Sequence, residues 1–241
     1  LGQMVPALAG LVFFLNQKHA LHLTRFTMHT KELIQACYNG SSEMVNQFSN
    51  AVITFLFNII LMRLAGPNGV AAITILLYGQ FLFNAFYLGF SIGTSPIVGY
   101  QYGAGNRKEL KSIYRISFRF VSISSVIIAF AAVYLSTGIV TIFTDDPKTH
   151  ALAVTGFGIF AYNFLFSGFN IASSGFFTAL SDGKSSAIIS FCRTLLFTVI
   201  SLLVLPRFFG VNGAWLAIPV AEFVTLLLSI WMHRKYLYRF I

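Results

Sequence analysis

Long apolar runs separated by short polar connections set the pattern of this chain. They fall at about residues 1–17, 33–64, 70–98, 114–143, 151–180, 186–206 and 213–233. A helix needs roughly 20 apolar residues to cross a hydrocarbon core about 30 Å thick, so the runs predict about seven transmembrane helices in an all-α integral membrane fold. Inside three of the runs the polar residues recur at helical spacing. Glu43, Gln47, Asn50, Thr54 and Asn58 stand at i, i+4, i+7, i+11 and i+15. At about 100° per residue they occupy one band roughly 80° wide. Gln80, Asn84, Tyr87, Ser91 and Ser95 repeat this spacing, and so do Asn163, Ser167, Asn170, Ser174 and Thr178.

Each stripe reads in two ways. Polar side chains within a bilayer hydrogen-bond neighbouring helices together, or they line a polar cavity. Three stripes, one of them carrying a carboxylate, point to a shared cavity. Glu43 lies within Lys31–Arg63, a stretch whose only other charge is Glu32. Along a helix it stands about 18 Å in from Lys31. An ionisable group at that depth is costly and reads first as a site for ions, protons or a counter-charge. The alternative is that Asn39-Gly40-Ser41-Ser42 caps a helix that begins later, which leaves Glu43 at the interface. Glu222 is the second acid within a run, between Trp215 and Trp231, with Thr225 and Ser229 on its face. It reads either as a coupling acid or as a packing acid held by hydroxyls and amides.

Composition narrows the class. The chain is 56% hydrophobic and 10% charged, with mean hydropathy +0.76, against about 25% charged residues in soluble proteins. The net charge of +9 first suggests an anionic partner, but its distribution suggests topology. Thirteen basic residues fall at 18–31, 99–119, 181–193 and the C-terminal tail; Arg63, Lys148 and Arg207 fall on the other side. The positive-inside rule places the richer side, and the C-terminus, in the cytoplasm. This excludes nucleic acid as the expected partner and leaves the lipid bilayer. The first run begins at residue 1 without Met or a basic flank, so it reads as a helix of a longer protein and not as a signal peptide.

Little suggests chemistry at a reactive centre. Cys37 and Cys192 are isolated, which predicts neither a disulfide framework nor a metal site. His19, His22 and His29 lie in a polar linker with no acid beyond Glu32 nearby. Neither Gly-x-Ser-x-Gly nor His-Glu-x-x-His occurs, so no enzyme is expected. The glycines of 99–106 suit a tight turn, since the Walker spacing is absent. Pro96 and Pro219 predict bends inside their helices.

Several of these segments resemble the multidrug and toxic compound extrusion (MATE) family, its bacterial branch in particular. They are Asn-Gly-Ser-Ser-Glu at 39–43, Gly-Val-Ala-Ala at 69–72, Ser-Pro-Ile-Val-Gly-Tyr-Gln-Tyr-Gly-Ala-Gly-Asn at 95–106 and Gly-Ala-Trp-Leu-Ala-Ile-Pro-Val-Ala-Glu at 213–222. The resemblance implies a twelve-helix transporter of two six-helix lobes. Residues 1–30 would be the sixth helix and the lobe linker, and 31–241 the C-terminal transport lobe. It implies secondary active export of cationic, aromatic drugs across a bacterial plasma membrane, by antiport with Na⁺ or H⁺ and with no other cofactor. Glu43 stands where the family's seventh helix often carries a functional glutamate. The acid some members carry in the tenth helix has no counterpart in 151–180.

In that scheme Glu43 is the primary coupling acid and Glu222 supports it. Desolvation favours a protonated or cation-bound carboxylate, and an arriving cationic drug displaces that proton or ion. Tyr38, Gln47, Asn50, Thr54, Gln80, Asn84, Tyr87, Tyr162, Asn163 and Asn170 are the expected cavity residues, with Phe81 as a further aromatic wall for cation–π contact. Two alternatives share the resemblance: a flippase for lipid-linked saccharides, and a half-transporter that is inactive without its missing N-terminal lobe.

Overall fold

A computed structural model describes residues 4–15 and 30–236, without the side chains at 32 and 35–47. The described residues are almost wholly helical, as the apolar runs require. In a bilayer a chain must satisfy its backbone internally, and a helix does so within one segment. The chain divides into two compact units, Leu1–Ser41 and Ser42–Ile241. The first holds α1 (Met4–Leu15) and the opening of α2 (Thr30–Gly103). The second holds the rest of α2, then α3 (Arg107–Phe143), α4 (Pro147–Phe160), a 3₁₀ turn (Ala161–Asn163) and α5 (Phe164–Ala179). It closes with α6 (Gly183–Phe191), a π turn (Cys192–Leu196) and α7 (Phe197–Tyr236).

Among the described residues four stretches are long and apolar enough to cross a membrane: Phe48–Gly103, Arg107–Phe143, Pro147–Ala179 and Gly183–Tyr236. The 56 residues of the first would form a rod of about 84 Å if unbroken. It is broken at Gly66, whose φ of 65° and ψ of −157° leave the helical region. Pro67 follows, pre-set for a first helical turn. Gly210, at φ 55° and ψ −132°, divides α7 in the same way. The turn after it is tight: a Cβ on Gly213 would strike the backbone of Leu205 and Pro206. With these two breaks, the spans expected from 33–64 to 213–233 fall on described helical stretches, and the first, expected at 1–17, is described as the shorter apolar helix Met4–Leu15.

Side chains set the other boundaries. Asn106 caps α3 by accepting from the Glu109 N–H, after Gly105 turns at φ 68°. Asp146 caps α4 by accepting from the Thr149 N–H at 2.8 Å, with Pro147 in the first turn. Asp182 caps α6 through the Ser185 N–H.

In the second unit α5 is central, packing on α3, α6 and α7, while α4 packs on α3 and α7. The main core joins Phe57, Leu61 and Leu76 of α2 to Phe157, Phe160, Phe164 and Trp215. Close packing replaces the hydrophobic effect as the force between helices in lipid, so small residues sit at the crossings. A Cβ on Gly156 would press on the Trp215 indole at 3.0 Å, and one on Gly79 would meet the Phe157 ring.

Candidate functional site

Glu222 lies twelve residues past the break at Gly210 and three past Pro219, and is only 4% exposed. Its Oε1 accepts from Arg193 Nε at 2.7 Å. Its Oε2 accepts from Asn170 Nδ2 at 2.7 Å, and the same amide reaches the Glu222 carbonyl at 2.9 Å. Asn170 Oδ1 in turn accepts from Ser229 Oγ at 3.0 Å. Ser229 is seven residues beyond Glu222, hence on the same helix face two turns along. One acid, one base, an amide and a hydroxyl thus join α5, the π turn and α7. The cluster is charge-neutral and its groups are mutually satisfied, the condition under which charges survive burial.

The π turn presents Arg193 to this cluster. Thr198 Oγ1 donates to the Arg193 carbonyl at 2.8 Å and so satisfies an acceptor inside the irregular turn. Sequence reasoning counts Arg193 among the charges of a connection at 181–193. The structure ties it to a buried acid, ten residues past the start of the helical stretch Gly183–Tyr236.

A second polar seam joins α2 to α5. Ser167 Oγ donates to Asn84 Oδ1 at 3.3 Å, and Tyr87 donates to the Phe164 carbonyl at 3.1 Å. The stripe from Gln80 and the stripe from Asn163 therefore face each other. Further along, Ser91, Ile92, Ser95, Pro96, Gly175 and Thr178 line an open cavity of about 400 Å³. Behind it Ser174 bonds Ser186 and Ser190, each at 2.9 Å, and Thr178 donates to Ser186 at 2.7 Å. Hydroxyls on this wall both donate and accept, so it can solvate either sign of charge.

The expected residues divide among several places. Asn170 and Glu222 meet directly, and Asn84 and Tyr87 line the α2–α5 seam. Asn163 is fully buried; its amide donates to the Phe160 carbonyl at 2.6 Å, while its Oδ1 finds no partner among the described residues. Gln80 is half-buried. Asn50 and Thr54 are exposed and make no hydrogen bond to the other two stripes. Tyr162 and Phe81 point outward, 60% and 73% exposed. Thr225 donates to the Ala221 carbonyl of its own helix and not to Glu222. The side chains of Tyr38, Glu43 and Gln47 lie outside the described residues, though their backbones continue α2. His19, His22 and His29 lie outside them altogether. Among the described residues no group of three metal-ligating side chains forms. The partner sequence reasoning missed is Arg193; its one signal is a lone arginine in an apolar run.

Comparison with known proteins agrees with this architecture. The MatE family model matches residues 44–203. No curated protein matches the chain. Solved structures share the fold. An outward-facing multidrug resistance MATE family transporter of the MOP superfamily aligns at TM-score 0.83 and 18% identity, over 98% of this chain and 54% of its own. An inward-facing transporter of the same description aligns at 0.84 and 18%, over 96% and 54%. A MOP superfamily transporter from Pyrococcus furiosus, whose binding pocket of reverse polarity is taken to suggest a different function, aligns at 0.82 and 19%, over 96% and 53%. The chain spans about half the length of the transporters it matches.

Proposed function

The chain belongs to the MatE family of transporters and is a multi-pass membrane protein; from that premise we propose that it is the C-terminal half of a cation-coupled drug exporter. Residues 1–30 supply the last helix of the N-terminal lobe and the linker, and 31–241 the C-terminal lobe. The cargo is cationic and aromatic, the coupling ion is Na⁺ or H⁺, and the setting is a bacterial plasma membrane with the C-terminus in the cytoplasm. The remaining half of the transporter is supplied by an N-terminal lobe, for which the half-length coverage is the support.

One observation carries the reading. Glu43 is the sole acid between Glu32 and Glu109, whereas the Glu222 carboxylate is already engaged by Arg193 and Asn170. We therefore assign to Glu43, the other acid within an apolar run, the exchange of a proton or ion against a cationic drug. Glu222 holds the helices around it. Gln47, Asn50 and Thr54 continue the stripe from Glu43 and would solvate the ion, with Tyr38 as an aromatic wall. The pairing of Arg193 also favours cationic cargo over an anionic lipid-linked saccharide, since the arginine's charge is balanced within the lobe.

The test is ethidium efflux by the full-length parent under imposed Na⁺ and pH gradients, with and without Glu43→Gln. Gradient-driven efflux lost in a variant that still inserts supports the reading, and the effective gradient names the ion. Unimpaired efflux by Glu43→Gln removes Glu43 from coupling, and no efflux under any gradient moves the proposal to the flippase.

A further inference from the structure

The first turns of α3 carry a feature that transport does not use. Arg107, Lys108, Lys111, Arg115 and Arg119 are all exposed. At about 100° per residue they fall at roughly 0, 100, 40, 80 and 120°, so five cations share one third of the helix circumference. None pairs with a carboxylate among the described residues, and Glu109 points to the far side, near 200°. Within residues 107–121 the buried positions Leu110, Ser117 and Val121 occupy a different arc, so over these turns the ridge is not turned into the bundle.

The ridge ends where the hydrocarbon begins. With 37 residues, α3 is about 55 Å long, against a core of about 30 Å. From Phe120 to Phe143 the helix is uncharged and by itself spans about 36 Å. The same arc continues past Phe120 without a charge, through Ser122, Val126 and Val133 among others, and enters the bundle at Ala129, Ser136 and Val140. The charges therefore stand at the level of the headgroups and just beyond. Arg119, the deepest, has a stem long enough to lie along apolar surface while its guanidinium reaches outward.

We infer that this ridge is a docking surface for the phosphates of anionic lipid headgroups in the adjacent leaflet. Its chemistry fits: basic clusters directly beside a transmembrane helix attract anionic lipid, and arginine binds phosphate in a bidentate fork. Its geometry fits as well, because a ridge about 18 Å long running along a membrane-crossing helix meets headgroups before any soluble anion. The inference does not depend on the cargo or the coupling ion.

The test reconstitutes the full-length protein in nanodiscs of equal parts phosphatidylcholine and phosphatidylglycerol and counts the lipids retained by native mass spectrometry. Wild type is expected to retain phosphatidylglycerol several-fold over phosphatidylcholine, with a preference that weakens as salt rises. K111Q/R115Q/R119Q is expected to lose that preference by up to about fivefold per charge removed, while R115K/R119K keeps most of it. Equal retention of the two lipids by wild type overturns the inference. So does a preference indifferent to salt, or one that survives the triple neutralisation. If the triple variant does not insert, the wild-type lipid and salt comparisons decide alone.

Discussion

Arg193 Nε lies 2.7 Å from Glu222 Oε1, so the arginine and the acid that interrupt the chain's last two apolar runs neutralise each other inside the bundle. Asn170 and Ser229 complete the cluster. Removing one partner strands a charge in a low-dielectric site, at a cost of about 3–5 kcal/mol. Arg193→Met and Glu222→Met should each lower the unfolding temperature in detergent sharply. The double variant should recover most of the loss, since it removes both charges and leaves only apolar volume. A double variant as unstable as the sum of the singles would show that the two charges act independently.

The α2–α5 crossing depends on a missing side chain. A Cβ on Gly168 would lie 2.6 Å from Tyr87 Cε1 and 2.8 Å from Ser125 Oγ. Tyr87 cannot simply rotate away, because it is fully buried and its hydroxyl donates to the Phe164 carbonyl. Gly168→Ala should therefore destabilise by about 1–3 kcal/mol, the usual range for overpacking. Gly158, with open space around it, is the control. Gly158→Ala should be neutral or slightly stabilising in the same melting assay.

The helices were legible in the sequence because lipid leaves the backbone few alternatives. Gly66 and Gly210 fall in the gaps between expected runs, at 65–69 and 207–212, but the chain leaves helical geometry at these glycines and not at Pro96 or Pro219, where bends are expected. The polar faces were legible as stripes, but helical periodicity reports a face and not its neighbour. That is why the meeting of Asn84 with Ser167 is visible only in the fold. Asn50 and Thr54 share the spacing and yet stay exposed. Arg193 was counted with the basic residues of 181–193, although the run expected at 186–206 also contains it. A π turn and a buried acid 29 residues later decide its place; the acid is visible as a lone charge in its run, but its pairing with Arg193 and the π turn leave no local signature. Asn163 illustrates the same limit: its amide turns back to the Phe160 carbonyl within a 3₁₀ turn and not toward a cavity.

Asp146 makes a pH prediction outside the membrane stretches. The Thr149 backbone N–H, followed by the Thr149 side chain and Lys148, holds its carboxyl below the ordinary carboxylate range. A group whose folded value is depressed contributes stability above its unfolded value, and that contribution is lost as pH falls through the folded value. The α4 cap should therefore weaken on acidification below about pH 4. Asp146→Asn keeps a capping oxygen and should flatten that acid limb in a pH series of melting curves. The effect will be small, because the group is fully exposed. An acid limb identical in the variant would assign it to other carboxylates.

His233 supports the opposite kind of prediction, a gain. It is 9% exposed, and neither ring nitrogen has a hydrogen-bond partner among the described residues. Its surroundings are aromatic: the ring stacks on Phe177 with centroids 4.8 Å apart and meets Phe118 and Tyr114 at 5.2 and 5.5 Å. An unsatisfied buried polar group costs about 1–3 kcal/mol, and replacing it by an apolar group of the same shape removes that penalty. Phenylalanine has the shape, and it keeps the stacked and edge contacts, whose geometry stabilises aromatic pairs. His233→Phe should thus raise the unfolding temperature in detergent, while His233→Ala should lower it by opening a cavity among the rings. A lower melting point for His233→Phe would mean that a bound water or a partner beyond the described residues satisfies the imidazole.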